Sequence, residues 1–246
     1  MAGLREYASE CAILKVHGSE TLDYVVDEGV QVYGGMGYSA EADMERAYRD
    51  ARINRIFEGT NEINRMLTVD ILLKRALQGE LDLLGPAQRV AEELMEIPDF
   101  DFDDENEFSA THRLVSNFKK AVLLIAGAAA KHFTTSLAKE QEVLMNISDM
   151  AMETYVGESL VLRIEKMKAM GLDYKMQKLI MQTYIYDAAD RLNKWGKDAV
   201  NSFAEGDEQR ALLMGIKRFS KQEAFNTKDA RREIANQMIE ANKYCY

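Results

Sequence analysis

Proline is nearly absent: 246 residues carry two, Pro86 and Pro98, against a usual share of ~5%. With few forced breaks, long helices are expected. Cysteine is as scarce. Cys11 and Cys245 lie near opposite ends, too few for a disulfide framework or a four-thiolate metal site. Their natural setting is a reducing compartment: the cytoplasm, or the mitochondrial matrix in a eukaryote. There are three histidines, and none of His17, His112 or His132 has a Glu three residues before it. The Glu-x-x-His pairs of di-iron bundles are therefore missing. The chain also lacks His-Glu-x-x-His, Gly-x-x-x-x-Gly-Lys-Ser/Thr and Gly-x-Ser-x-Gly motifs, and no metal site is expected. A net charge of −10 argues against nucleic-acid binding. No stretch approaches the ~18 apolar residues that a membrane helix needs. The longest apolar run, Ala121 to Ala130, reads as a buried helix segment. The N-terminal residues lack the charged-then-apolar pattern of a signal peptide.

What is present is helical periodicity, with no competing strand pattern. Hydrophobic residues make up 47% of the chain, enough for one large domain or two modest ones. The spacing predicts helices over about 3–16, 19–33, 44–56, 60–77 and 86–97. Longer ones follow over 109–137, 141–170, 173–204 and 208–242, with Asn226-Thr227 a candidate split in the last. Thr60 is the expected N-cap of the fourth helix, and Gln78-Gly79 its expected stop. Charge divides the same chain. Residues 1–84 hold 9 Lys+Arg against 15 Asp+Glu, residues 85–107 hold 1 against 9, and residues 108–246 hold 21 against 17. The expected organisation is a helical unit over 1–84, an acidic linker with a short helix over 85–107, and a bundle of about four long up-down helices over 108–246. The Phe-bearing acidic tract Asp99 to Glu105 reads as a solvated linker whose aromatics tack onto a neighbour. The 14 methionines fit gap-filling in helix cores.

One region carries candidate chemistry. Gln31-Val32-Tyr33-Gly34-Gly35-Met36-Gly37-Tyr38 is followed by Arg46, by Arg49-Asp50-Ala51-Arg52, and by Phe57-Glu58-Gly59-Thr60-Asn61-Glu62-Ile63, with Arg65 beyond. Clustered glycines let a backbone approach a ligand closely, and helix N-termini favour anions such as pyrophosphate. Taken singly, each piece also has a plain structural meaning. Three glycines can be a C-cap and turn, Glu58 a capping or ion-paired carboxylate, and the arginines a solvated face.

Together, in this order and spacing, the segments resemble the acyl-CoA dehydrogenase family. The resemblance covers about residues 3–77 as the second half of that family's C-terminal helical domain. Residues from about 86 onward look like the extra helical domain of its very-long-chain type. The family removes a proton from Cα of an acyl-CoA thioester while a hydride leaves Cβ for FAD, a step of fatty-acid β-oxidation. By resemblance Glu58 is the base, and a carboxylate between flavin and acyl chain gains basicity by desolvation. Gly59 lies against the substrate. Thr60, Asn61 and Glu62 lie beside FAD. Gln31, Gly34 and Gly35 belong to the loop that meets the adenosine-diphosphate part of the cofactor across a dimer interface.

The resemblance also implies a homodimer and electron-transfer flavoprotein as electron acceptor. The family's N-terminal helical domain, β-domain and first C-terminal helices have no counterpart here. The chain is therefore expected to be a C-terminal fragment that alone holds FAD weakly or not at all and is catalytically silent. The alternative is an interaction module, in which the mildly basic 108–246 bundle mediates dimerisation, assembly or peripheral membrane contact.

Overall fold

The computed structural model describes residues 2–94, 96 and 106–246. The tract Asp99 to Glu105 lies outside them. The described residues form helices and turns without a strand, so the chain is all-α. It divides into two compact units: residues 1–82 with 138–148, and residues 83–137 with 149–246.

In the first unit a short α1 (Ala2–Glu6) leads into α2 (Ala8–Tyr33). The pattern predicts two helices here, parted at Gly18. The structure has one, because Gly18 keeps a negative φ and a Cβ there would meet nothing within 4 Å. A mid-helix glycine costs only about 1 kcal/mol against alanine. Burial of Ala12, Ile13, Val16 and Ser19 along one face outweighs that cost. The helix ends at Gly34, where φ is +59°. A 3-10 turn over Gly34–Tyr38 and a loop then lead into α3 (Asp43–Ile53). Next comes α4 (Asn61–Leu77), capped by Thr60 Oγ1, which accepts from the amide of Ile63 at 3.3 Å. It stops at Gln78 before Gly79 (φ +73°), as its sequence predicts. Both α3 and α4 pack on α2.

The second unit holds α5 (Leu84–Glu93), α6 (Ser109–Phe133), most of α7 (Gln141–Ala169), α8 (Lys175–Phe203), α9 (Gly206–Phe219) and α10 (Thr227–Ala241). Side-chain pairs fix the directions. His112 meets Glu165 at 2.7 Å and Lys119 meets Glu158, so α7 runs antiparallel to α6. Glu153 meets Arg191, while a Cβ on Gly157 would touch Ile185, so α8 reverses again. Asn193 donates to Ser220 at 2.7 Å, and Gly196 lies under Ile216, so α9 reverses once more. The result is an up-down-up-down bundle with α10 laid on α8. Two glycines let α9 settle between its neighbours. A Cβ on Gly215 would come within 2.5 Å of Leu124 on α6, and one on Gly196 within 2.5 Å of Ile216. Phe118, Ile125, Leu192, Ile216 and Phe219 are fully buried, each worth roughly 1.5–3 kcal/mol over an exposed position.

The run predicted over 208–242 divides at its candidate split, with α10 starting at Thr227, where Asn226 Oδ1 accepts from the amide of Asp229 at 3.2 Å; what the spacing misses is that α9 already ends at Phe219. The run predicted over 109–137 ends at Phe133, because Thr134 takes φ +49° and a 3-10 turn over Thr134–Lys139 follows. The expectation that no stretch approaches a membrane helix is also corrected: Ser109–Lys139 is long enough, and apolar enough on average, to cross a membrane. Within the Ala121–Ala130 run, read as a buried segment, Ala121, Leu124, Ile125 and Ala129 are buried and the other residues are only partly covered.

The charge contrast between linker and bundle has a local expression. The Glu107 carboxylate accepts from Lys168 at 2.7 Å, from Tyr174 at 2.8 Å and from Lys178. Those hydrogen bonds hold its pKa at about 2. Both ammonium groups also sit 5.4 Å from the centroid of the Phe108 ring.

Candidate active site

The Glu58 loop hangs between α3 and α4 and closes on itself. Phe57 N–H donates to Ile53 O, and Asn61 N–H donates to Arg55 O, each at 3.1 Å. Within it Glu58 takes φ +54° and Gly59 φ +80°. A non-glycine residue in the left-handed region costs about 1–2 kcal/mol and persists only where its surroundings impose it. Glu58 is exposed, and its carboxylate makes no hydrogen bond or ion pair among the described residues. Its exposed neighbours Ile56, Phe57 and Ile63 are apolar. Neither structural duty open to it is filled: Thr60, not Glu58, caps α4, and no cation among the described residues pairs with Glu58.

The loop is clamped to α2. The carbonyl of Gly59 accepts from Lys15 Nζ at 2.7 Å and from Asn64 Nδ2 at 2.9 Å. Asn61 is buried, and its oxygen accepts from Lys15 at 2.6 Å and from Ser19 at 3.2 Å. Its amide nitrogen reaches Ser19 Oγ at 2.9 Å and Glu20 at 3.1 Å. Arg65 grips Glu20 with two bonds, 2.7 and 2.9 Å. Burial works to raise the Glu20 pKa, but hydrogen bonding and charge from Arg65, with help from Asn61 and Arg55, outweigh it and leave it lowered. Glu62 is lowered by hydrogen bonds from its own amide and from the Thr60 hydroxyl at the start of α4.

The expected cofactor residues fall into two groups. Gln31, Gly34 and Gly35 are exposed, and a Cβ on either glycine would meet nothing within 4 Å. Thr60 and Glu62 stand at the α4 N-terminus, but the Asn61 side chain is committed to α2. Along α2, Ser19 beside Asn61 and Gln31 are separated by about 18 Å of helix rise, so the groups form two surfaces and not one pocket. The third glycine has another purpose. A Cβ on Gly37 would lie 2.8 Å from Val30 O, 3.0 Å from Val30 Cα and 2.7 Å from Tyr33 Cβ. Gly37→Ala is expected to cost about 2 kcal/mol in urea unfolding, while Gly35→Ala leaves the midpoint unchanged. Equal midpoints for the two variants would contradict this assignment.

The arginines form the solvated face that their spacing suggests, with Arg46 on Asp43 at 3.0 Å and Arg49 on Glu45. The motif spacing does not single out Lys15, Ser19, Glu20 or Asn64. The one available signal is polar Ser19 within the buried apolar stripe of α2.

Two family models, each described as the acyl-CoA dehydrogenase C-terminal domain, match residues 2–73 and 117–218. A probable acyl-CoA dehydrogenase of Bacillus subtilis (strain 168) is 41% identical over 98% of this chain and 41% of its own length. The human mitochondrial very long-chain specific acyl-CoA dehydrogenase is 46% identical over 80 residues, 32% of this chain and 11% of that protein. A crystal structure of an acyl-CoA dehydrogenase complexed with FAD from Bacillus anthracis covers the whole chain with a TM-score of 0.94 at 41% identity, and 42% of that chain is matched. An all-α fold with an exposed glutamate loop on α2 thus coincides with the family's C-terminal helical part. The chain belongs to the acyl-CoA dehydrogenase family and spans about two fifths of the length of its full-length bacterial relatives.

Proposed function

We propose that this chain supplies the base-bearing C-terminal part of an FAD-dependent acyl-CoA dehydrogenase, with Glu58 as the base that takes the Cα proton of an acyl-CoA thioester. The observation that carries this reading is Glu58 itself: exposed, without a partner among the described residues, and held at φ +54° among apolar side chains. A carboxylate with no structural duty in a strained, clamped loop is free to move a proton.

In the reaction the Cα–H proton passes to the Glu58 carboxylate, and the electron pair left behind forms the Cα=Cβ bond. FAD, when bound, accepts the hydride that leaves Cβ. Gly59 leaves the thioester unobstructed. Thr60 and Glu62 would hold the cofactor beside this loop. Gln31, Gly34 and Gly35 would meet the adenosine-diphosphate part of a second subunit's FAD, a division that suits their separation along α2. Electron-transfer flavoprotein would then reoxidise the enzyme. The apolar surface of residues 1–82, including Tyr24, Val32, Tyr33, Met36, Phe57 and Ile63, is too exposed for a free-standing unit. It suits contact with the rest of such an enzyme.

The test compares flavin loading. The enzyme carrying this chain together with the family's other domains is expected to be yellow, with one FAD per subunit, and to bleach when acyl-CoA is added without oxygen. Residues 1–246 alone are expected to load FAD to well below one per chain. A complete enzyme that does not bleach with acyl-CoA of any length would overturn the reading.

A further inference from the structure

The lysine on α2 that reaches into the Glu58 loop has no part in the proton transfer just described. Lys15 is half-buried, and its ammonium splits its bonds between Gly59 O at 2.7 Å and Asn61 Oδ1 at 2.6 Å. Asn61 in turn is fixed by Ser19 and Glu20, and Glu20 by Arg65. The ammonium is thus anchored on a buried network, and its other bond goes to the residue next to the base.

The position of that bond matters. The Gly59 carbonyl orients the peptide plane that follows the two left-handed residues Glu58 (φ +54°) and Gly59 (φ +80°). If that plane turns, Glu58 can relax toward an ordinary conformation, and its side chain leaves in another direction. Asn64 also holds the carbonyl, at 2.9 Å, but Asn64 belongs to α4, the helix that the loop itself begins. Lys15 ties the same oxygen to a different helix with a charge-assisted bond, the stronger kind. Lysine is well shaped for this, since a four-carbon stem spans the gap and three donors serve several acceptors without a fixed plane.

We infer that Lys15 is a positioning residue for the Glu58 base, holding the Glu58-Gly59 loop in its left-handed form through the Gly59 carbonyl. The inference rests on Glu58 being the base. Lys15 itself touches no reacting atom, so its removal should slow proton abstraction without weakening substrate or flavin binding. A misplacement of about 1 Å can cost ~100-fold in rate.

The experiment uses the complete FAD-loaded enzyme and follows flavin bleaching by acyl-CoA in stopped flow, with ordinary and Cα-deuterated substrate. Lys15→Met is expected to lower the saturating bleaching rate by about tenfold or more and to raise the Cα-deuterium isotope effect, with acyl-CoA affinity and FAD content unchanged. Lys15→Arg, which restores a cation on a long stem, is expected to recover part of the rate. A wild-type rate and isotope effect in Lys15→Met would overturn the inference. So would a rate loss that merely follows lost flavin or lost helical signal. Glu58→Gln run alongside separates the two claims. If it bleaches at the wild-type rate, the base assignment fails. If it is silent while Lys15→Met is normal, only the positioning role fails.

Discussion

Glu58→Gln in the complete enzyme is expected to bind FAD and fold normally while turnover falls by about 10²–10⁴-fold, the usual contribution of a positioned general base. The amide is isosteric with the carboxylate but cannot take up the Cα proton. The structure leaves little room for a loss through misfolding. Glu58 is exposed and bonded to nothing among the described residues, so no buried partner is orphaned. Surface changes of this kind usually alter stability by less than ~0.5 kcal/mol. The backbone at φ +54° is no harder for Gln than for Glu. Unfolding midpoint and flavin spectrum should therefore match wild type, and the loss should appear in bleaching by acyl-CoA. Glu58→Asp is the companion variant. It keeps the charge but withdraws it by one methylene, so partial activity is expected. Full turnover by Glu58→Gln would remove this residue from the chemistry.

What is legible in the sequence is mostly local. Thr60 caps α4 because its side chain reaches an amide three residues on, and Gly79 ends the same helix because only glycine takes φ +73° without strain. Both facts lie within one turn of chain. The pattern misleads where tertiary packing decides. Gly18 resembles a break, yet the buried face of α2 carries the helix through it. Asn226-Thr227 is readable as a break because Asn226 caps α10, but the end of α9 at Phe219, seven residues earlier, has no such local mark. In the candidate site, Glu58 and the glycines stand out as a motif, and the residues that hold them do not. Lys15 and Gly59 are 44 positions apart, and nothing in either neighbourhood announces the other. Asn61 shows the consequence. Its motif suggests a cofactor contact, whereas its side chain is occupied by Ser19, Glu20 and Lys15.

The largest stability effect in the bundle is expected at Glu153 and Arg191. Glu153 is 8% exposed, far below what a lone carboxylate tolerates. Arg191 answers it with two bonds, Nε to Oε1 at 2.9 Å and a terminal nitrogen to Oε2 at 2.8 Å. Its guanidinium also lies 5.5 Å from the Tyr184 ring centroid. Burial, then the charge and hydrogen bond of Glu153, push the Tyr184 hydroxyl far above the usual phenol range. Burial opposes the charge on Arg191, yet bonding to Glu153 outweighs it and raises the guanidinium. The three groups thus form one unit bridging α7 and α8, and removing either charged member leaves the other with an unmet charge. Arg191→Met strands a buried carboxylate and is expected to cost about 3 kcal/mol. That is the lower part of the range for broken buried pairs, because the Arg191 side chain is 40% exposed and water can partly replace it. Adding Glu153→Leu removes the orphan and fills its space, so the double variant is expected to recover most of the loss. Urea unfolding of wild type, the two single variants and the double variant gives the coupling directly. If Arg191→Met leaves the midpoint where it was, the pair does not hold α7 to α8.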